Sequence, residues 1–168
     1  MFLFRKKFHL LIVCTANRTR SAYFSEYLRD YLKKYRPDAF KRLTISSAGT
    51  KAVSGGRPND VVALIAHKNG FSLRGHIAEP VTKKTIKEAD LVLTMEQVHK
   101  DHILKKFPEA EGRVFRLMEY GWQGDDEVEN LDVPDPTGKN ADDFREFIDT
   151  AHAEADRLLH ELMHQQIL

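Results

Sequence analysis

The chain has 168 residues, with 26 basic and 25 acidic side chains for a formal charge of +1, 42% hydrophobic residues, 9 glycines and 6 prolines. At roughly 100 to 200 residues per domain this is one domain over residues 1–168, long enough to bury its own core, and its composition excludes disordered, collagenous and coiled-coil classes. The balanced charge argues against a broad nucleic-acid footprint, so any anion site is local. The single cysteine, Cys14, excludes an intramolecular disulfide and a zinc site built from several thiolates, and it fits a reducing cytoplasm.

In chain order, Arg5, Lys6 and Lys7 precede an apolar run from Phe8 to Val13. Secretory signals also open with cations before an apolar stretch. This run is short, however, His9 interrupts it, and Asn17, Arg18 and Arg20 follow where small residues belong. It reads as a strand buried on both faces. No stretch approaches the roughly 20 apolar residues of a membrane span. Phe24, Leu28, Tyr31, Leu32 and Tyr35 recur at helical spacing until Pro37. Leu43 to Ser47 predicts a second strand, and Asn59 to His67 a helix with Pro58 near its start and Asn69-Gly70 at its end. Leu91 to Met95 predicts a third strand, Val98, Leu104 and Phe107 a helix closed by Pro108, and Val114 to Met118 a fourth strand.

The last helix is the plainest. Phe144, Phe147, Ile148, Ala151, Ala155, Leu158, Leu159 and Leu162 trace one face behind an Asn140 cap. His152, His160 and His164, also at helical spacings, read as solvated side chains. No repeat, low-complexity tract or linker interrupts the series. Strands alternating with helices predict an α/β fold, a single-domain doubly wound sheet of four parallel strands flanked by helices. In such sheets ligands sit beyond the carboxyl ends of the strands, which directs attention to the turn after the first strand.

That turn reads Cys14-Thr15-Ala16-Asn17-Arg18-Thr19-Arg20-Ser21. It sets a thiol at a strand end, an arginine six residues on and a hydroxyl at a helix start. Backbone amides of a tight loop entering a helix form an anion nest, and a guanidinium adds a two-pronged clamp. Thr15, Ala16, Asn17, Arg18, Thr19, Arg20 and Ser21 therefore suit a tetrahedral oxyanion, with inorganic phosphate as the natural guest. The same positive surroundings keep a thiolate available as nucleophile. Attack on phosphorus needs an acid for the leaving oxygen and later a base for water, and one carboxylate serves both. Asp132 and Asp135 are the two candidates, in a segment whose prolines, Pro134 and Pro136, restrict the backbone, and Asp135 is preferred. A buried cysteine ending a strand and a turn carboxylate are each commonplace alone. Their conjunction points to chemistry. A Gly-rich dinucleotide fingerprint, a nucleotide-phosphate loop with its Gly-Lys pair and a zinc motif are all absent from the sequence.

Val13-Cys14 through Ser21 together with Asp135-Pro136 resembles the low-molecular-weight protein tyrosine phosphatases, a family that includes related protein arginine phosphatases. The resemblance extends over nearly the whole chain, through Ser47-Ala48-Gly49-Thr50, Gly75-His76, Ala89-Asp90-Leu91 to Met95, Phe107-Pro108-Glu109-Ala110 and the long final helix. It implies a cytoplasmic, cofactor-free and metal-free two-step hydrolysis of a phosphorylated protein or peptide, with a tyrosine kinase as the opposing enzyme. In that scheme Cys14 forms a phosphocysteine, Arg20 and the loop amides hold the equatorial oxygens, and Asp135 is acid and then base. Ser21 stabilises the departing thiolate, while Asn17, Ser47 and His76 form a supporting polar network.

Four positions depart from the family pattern. Arg18 stands where phosphotyrosine enzymes carry an aliphatic residue and phosphoarginine enzymes a threonine, and its charge disfavours the cationic body of phosphoarginine. Thr137 replaces the aromatic residue that follows Asp-Pro, and Lys51, Ala52 and Val53 offer no aromatic wall, leaving Tyr120 or Trp122 as substitutes or as packing residues of their own loop. Thr19 replaces a second loop cysteine, so oxidised Cys14 has no internal partner. Ala22 stands where proline is common, with little expected effect. Phosphotyrosine hydrolysis is the leading expectation, phosphoarginine hydrolysis the closest alternative, and a phosphate-binding regulatory module with weak turnover the alternative of another class.

Overall fold

The computed structural model describes residues 6–122 and 130–168. Arg5, the first of the three cations ahead of the apolar run, lies outside them. The elements are β1 (Phe8–Cys14), α1 (Arg20–Tyr35), α2 (Pro37–Arg42), β2 (Leu43–Gly49), α3 (Asp60–Lys68), α4 (Lys83–Glu88), β3 (Leu91–Thr94), α5 (Gln97–Lys106), a 3-10 turn (Pro108–Ala110), β4 (Val114–Arg116) and α6 (Ala141–His164).

The four strands form one parallel sheet in the order β2-β1-β3-β4. β1 is central and buried on both faces, and its alternate residues feed two cores. Leu10, Ile12 and Cys14 join Phe24, Leu28 and Leu32 of α1 and the apolar stripe of α6. Leu11 and Val13 point the other way, onto Ile86 of α4 and Ile103 and Phe107 at α5. The chain leaves β1 toward β2 on one side and returns to β3 on the other. The strand order thus reverses at the carboxyl end of β1, which opens a crevice there.

The helix caps are where the sequence puts them. The Asn59 side chain accepts from the amides of Val61 and Val62, and Asn140 accepts from Asp142 and Asp143. All eight apolar residues assigned to the final stripe are buried.

Several expectations are corrected. Pro37 ends one helix and opens another, α2, because proline suits a first helical position. α4 carries no sequence signal, since its six residues bury only Ile86 and leave no period to read. On α5, Val98 is 64% exposed while His99 is only 2% exposed, so the stripe is set by His99 and Ile103. On α1, Tyr35 is exposed and Tyr23 takes the inner position. His152 is half-buried rather than free in solvent: it stacks on Tyr27 at 4.1 Å between ring centroids and hydrogen-bonds the Tyr23 hydroxyl at 3.0 Å.

Candidate active site

The loop from Cys14 to Ser21 wraps the carboxyl end of β1, and the structure shows why it holds that shape. Asn17 has a φ of 54°, a left-handed conformation that asparagine tolerates better than most residues. Its side chain is fully buried and fully engaged. Nδ2 donates to the hydroxyls of Ser21 (2.8 Å) and Ser47 (2.9 Å), while Oδ1 accepts the amide of Glu79 (3.0 Å). His76 donates through Nε2 to the Asn17 carbonyl at 2.7 Å, which fixes its tautomer. Beneath the loop lies Gly49, the register partner of Cys14. A Cβ there would sit 2.5 Å from the Thr15 carbonyl and 2.9 Å from the Asn17 amide, so only glycine lets the loop come this close. Ser47-Ala48-Gly49 thus supplies both a hydroxyl and clearance.

Ser21 Oγ is 3.0 Å from Cys14 Sγ. Because Asn17 Nδ2 already donates to that hydroxyl, its own proton is directed at the sulfur. Cys14 is 3% exposed at the end of β1, facing the start of α1. Among the described residues, no backbone N–H from Thr15 to Thr19 donates to a protein acceptor. A loop of unspent donors at a helix N-terminus is what an oxyanion requires.

Arg20 is 1% exposed and held from four sides. Nη1 donates to the Val133 carbonyl (2.8 Å) and pairs with Glu96 Oε2 (2.7 Å). Nη2 pairs with Asp135 Oδ2 (3.0 Å) and reaches Thr15 Oγ1 (3.4 Å). The segment 131–137 is drawn in by Leu131, Val133 and Pro136, all buried, and by the Val133 amide on the Met95 carbonyl (2.7 Å). Asp135 consequently stands over the loop, its side chain 42% exposed, with Oδ1 accepting the Thr137 amide. Asp132 is excluded from this role by its partners. It caps α5 through the Gln97 amide (2.8 Å) and faces Arg116 (3.4 Å).

The structure brings Cys14, Asn17, Arg20, Ser21, Ser47, His76 and Asp135 together as expected. Arg18 is exposed and turns sideways, its Nε donating to the Arg57 carbonyl. Thr137 Oγ1 donates to Thr19 Oγ1 (2.9 Å), tying the Asp135 segment to the loop at the position where the family pattern has an aromatic residue. Tyr120 is buried against Phe115 and bonds Gln165, and Trp122 is 47% exposed.

Two residues escaped the sequence reading. Glu96 follows β3 and pairs with Arg20. Its amide donates to His99 Nδ1 (3.1 Å), leaving Nε2–H to donate to Thr15 Oγ1 (2.8 Å). Burial, then the nearby Arg20 charge, pushes the His99 pKa down from 6.5 to about 4, so the ring is a neutral, oriented donor. Position just beyond a strand end was the available signal for both residues.

A buried thiol in a loop of unspent amides after the first strand of a 2-1-3-4 sheet suits a class of cysteine proteins that handle phosphoryl groups. Comparison with known proteins narrows the class. The family model for low molecular weight phosphotyrosine protein phosphatase matches residues 9–167. A low molecular weight protein-tyrosine-phosphatase of Acinetobacter johnsonii, Ptp, is 35% identical over 128 residues, 76% of this chain and 79% of that protein. Among solved structures, the YwlE arginine phosphatase of Geobacillus stearothermophilus superposes with a TM-score of 0.80 at 28% identity, covering 95% of this chain and 96% of that one. The tyrosine phosphatase Wzb of Escherichia coli K30, solved with sulphate, gives 0.77 at 25% identity over 92% and 97%. The chain belongs to the low molecular weight phosphotyrosine protein phosphatase family.

Proposed function

We propose that this phosphatase, acting as a single domain over residues 1–168, hydrolyses phosphotyrosine in proteins through a phosphocysteine on Cys14. The observation that carries the reading is the junction of β1 and α1. There a buried thiol accepts a hydrogen bond from Ser21, inside a loop of free amides backed by the buried Arg20.

In the first step the Cys14 thiolate attacks phosphorus opposite the ester oxygen. The S–P bond forms, the P–O bond breaks, and Asp135 gives its proton to the departing oxygen. Arg20 and the loop amides hold the three equatorial oxygens as charge moves onto them. In the second step Asp135 takes a proton from water, the water oxygen bonds to phosphorus and the S–P bond breaks. Ser21 stabilises the released thiolate, and the Asn17, Ser47 and His76 network keeps the loop in the shape both steps need.

The likeness to an arginine phosphatase favours phosphoarginine as a second reading. The guanidinium of Arg18 on the loop's outer wall weighs against it, since it meets a cationic substrate with like charge. The lone thiol suits a reducing cytoplasm, and turnover proceeds without metal.

The test is phosphate release from para-nitrophenyl phosphate, a phosphotyrosine peptide and phosphoarginine, in chelator. Wild type is compared with Cys14→Ser, Arg20→Ala and Asp135→Ala. Turnover that the first two substitutions abolish and the third lowers, with phosphotyrosine preferred, supports the proposal. Preferred phosphoarginine overturns the substrate assignment. Phosphate binding by the folded protein without turnover of any substrate overturns the reading and leaves a regulatory binding module.

A further inference from the structure

Beside the phosphate loop runs a cavity of about 660 Å³, between α3 and residues 72–77, that the chemistry above leaves unused. Its walls include Ala63, Leu64, Leu73 and Ile77, and Leu64 and Ile77 are 55% and 58% exposed. Val61 on α3 and Val53 in the loop after β2 are exposed as well. Single exposed apolar side chains are ordinary; a gathering of them beside a functional loop is a contact surface.

The rim of this groove is cationic. Arg57 and Arg74 line it, and Arg18 leans toward it to bond the Arg57 carbonyl. Arg20, Arg29, Arg116, Arg145 and Arg157 each pair with a carboxylate. Among the described residues, no carboxylate pairs with Arg18, Arg57 or Arg74, nor with Arg36, Arg42 or Arg113, and of these six it is Arg57 and Arg74 that line the groove. Asp60 is the one acidic residue of the lining, and it sits in the first turn of α3, where a helix accepts negative charge.

The groove is also tied to the loop. His76 lines it and donates to the Asn17 carbonyl, and the Arg18 carbonyl accepts the amide of Asn59 at the head of α3. A polypeptide leading away from the loop over Arg18 meets Arg57 next and then the apolar floor.

We propose that this groove is the subsite for the stretch of protein flanking the phosphorylated residue. It takes one apolar side chain against Leu64, Leu73 and Ile77, and acidic side chains on Arg57 and Arg74. The proposal rests on the phosphotyrosine reading, and it locates sequence selectivity away from the phosphate loop. A small aryl phosphate does not extend into the groove, so the two substrate types separate the groove from the chemistry.

The experiment compares kcat/KM of wild type, Leu64→Glu and Arg74→Glu on three substrates. These are para-nitrophenyl phosphate, a phosphotyrosine peptide flanked on both sides by Asp, Glu and Leu, and one flanked by Gly and Ser. Both substituted side chains are exposed, so the fold is kept. Wild type is expected to prefer the acidic-apolar peptide by about tenfold, the scale of a few weak contacts acting together. Each variant is expected to lose most of that preference with para-nitrophenyl phosphate turnover unchanged, and added salt is expected to shrink the preference in wild type. Equal turnover of the two peptides by wild type overturns the subsite. So does a preference that survives both substitutions, or a loss shared equally with para-nitrophenyl phosphate. Failure of wild type on all three substrates overturns the phosphotyrosine reading itself, and the subsite with it.

Discussion

The rear and the front of the phosphate loop are built on opposite terms. Behind it, Asn17, Ser21, Ser47 and His76 are interlocked with short hydrogen bonds, and Gly49 packs so close that no side chain fits between. In front and to the side, Arg18, Arg57 and Thr137 are exposed, and their hydrogen bonds run to backbone or to neighbouring side chains rather than into the buried network. The buried half cannot change without moving the backbone that holds the oxyanion, whereas the outer half can vary freely. On the proposed function, chemistry resides in the floor and substrate choice in the rim. Four substitutions separate floor from rim, beginning with the most damaging.

Arg20→Ala removes both guanidinium donors and leaves Glu96 and Asp135 facing each other without their cation. A loss of at least about 10³ in kcat/KM is expected for every phosphate ester, measured by steady-state phosphate release. Asn17→Ala strips three partners from a fully buried position with a left-handed backbone. It is expected to cost about 2–4 kcal/mol of stability in denaturant unfolding. Its kcat should fall by about tenfold or more on small and large substrates alike, since the loop itself is misshapen.

His99→Asn tests the third side of the floor. The fold holds His99 neutral with a pKa of about 4 against 6.5, so between these values the unfolded chain binds the extra proton. The stability it contributes is complete above pH 6.5 and is lost as the pH falls toward 4. Wild-type Tm is therefore expected to drop more steeply than that of the variant across this window. A slope remains in the variant from His152, whose pKa burial also lowers. Equal slopes in thermal melts would show that His99 is not held in this way. The smallest effect is expected from Arg18→Thr. It leaves para-nitrophenyl phosphate turnover within about threefold, because Arg18 makes no bond to the loop's interior, and it raises phosphoarginine turnover relative to phosphotyrosine. A large loss on para-nitrophenyl phosphate would move Arg18 from the rim to the floor.

Much of this was legible in the sequence, for identifiable reasons. β1 announces itself because burial on both faces writes an unbroken apolar run from Leu10 to Val13, and the stripe of α6 because burial on one face writes a helical period. Cys14, Arg20 and Ser21 are readable because an anion loop is contiguous. Asp135 lies far along the chain but is framed by prolines and by its place in the family pattern. The misses share a cause. Glu96 and His99 become site residues only through the register of β3 beside β1, which no local spacing encodes. The inward turn of polar His99 and the exposure of apolar Val98 invert the usual signal, because Thr15 and the Glu96 amide supply the hydrogen bonds that burial demands. Arg18 illustrates the limit at the surface: its charge is visible in the sequence, but its direction depends on where Arg57 arrives from another part of the chain.

In the proposed mechanism Cys14 carries the phosphoryl group, and acid quenching during turnover of para-nitrophenyl phosphate, followed by mass spectrometry of the peptide containing Cys14, detects it. Expected are a phosphoryl group on Cys14 in wild type, its accumulation when Asp135 is replaced by Ala and water is left without its base, and no turnover in Cys14→Ser. Turnover that persists in Cys14→Ser, or wild type that releases phosphate with Cys14 never modified, rules the phosphocysteine out.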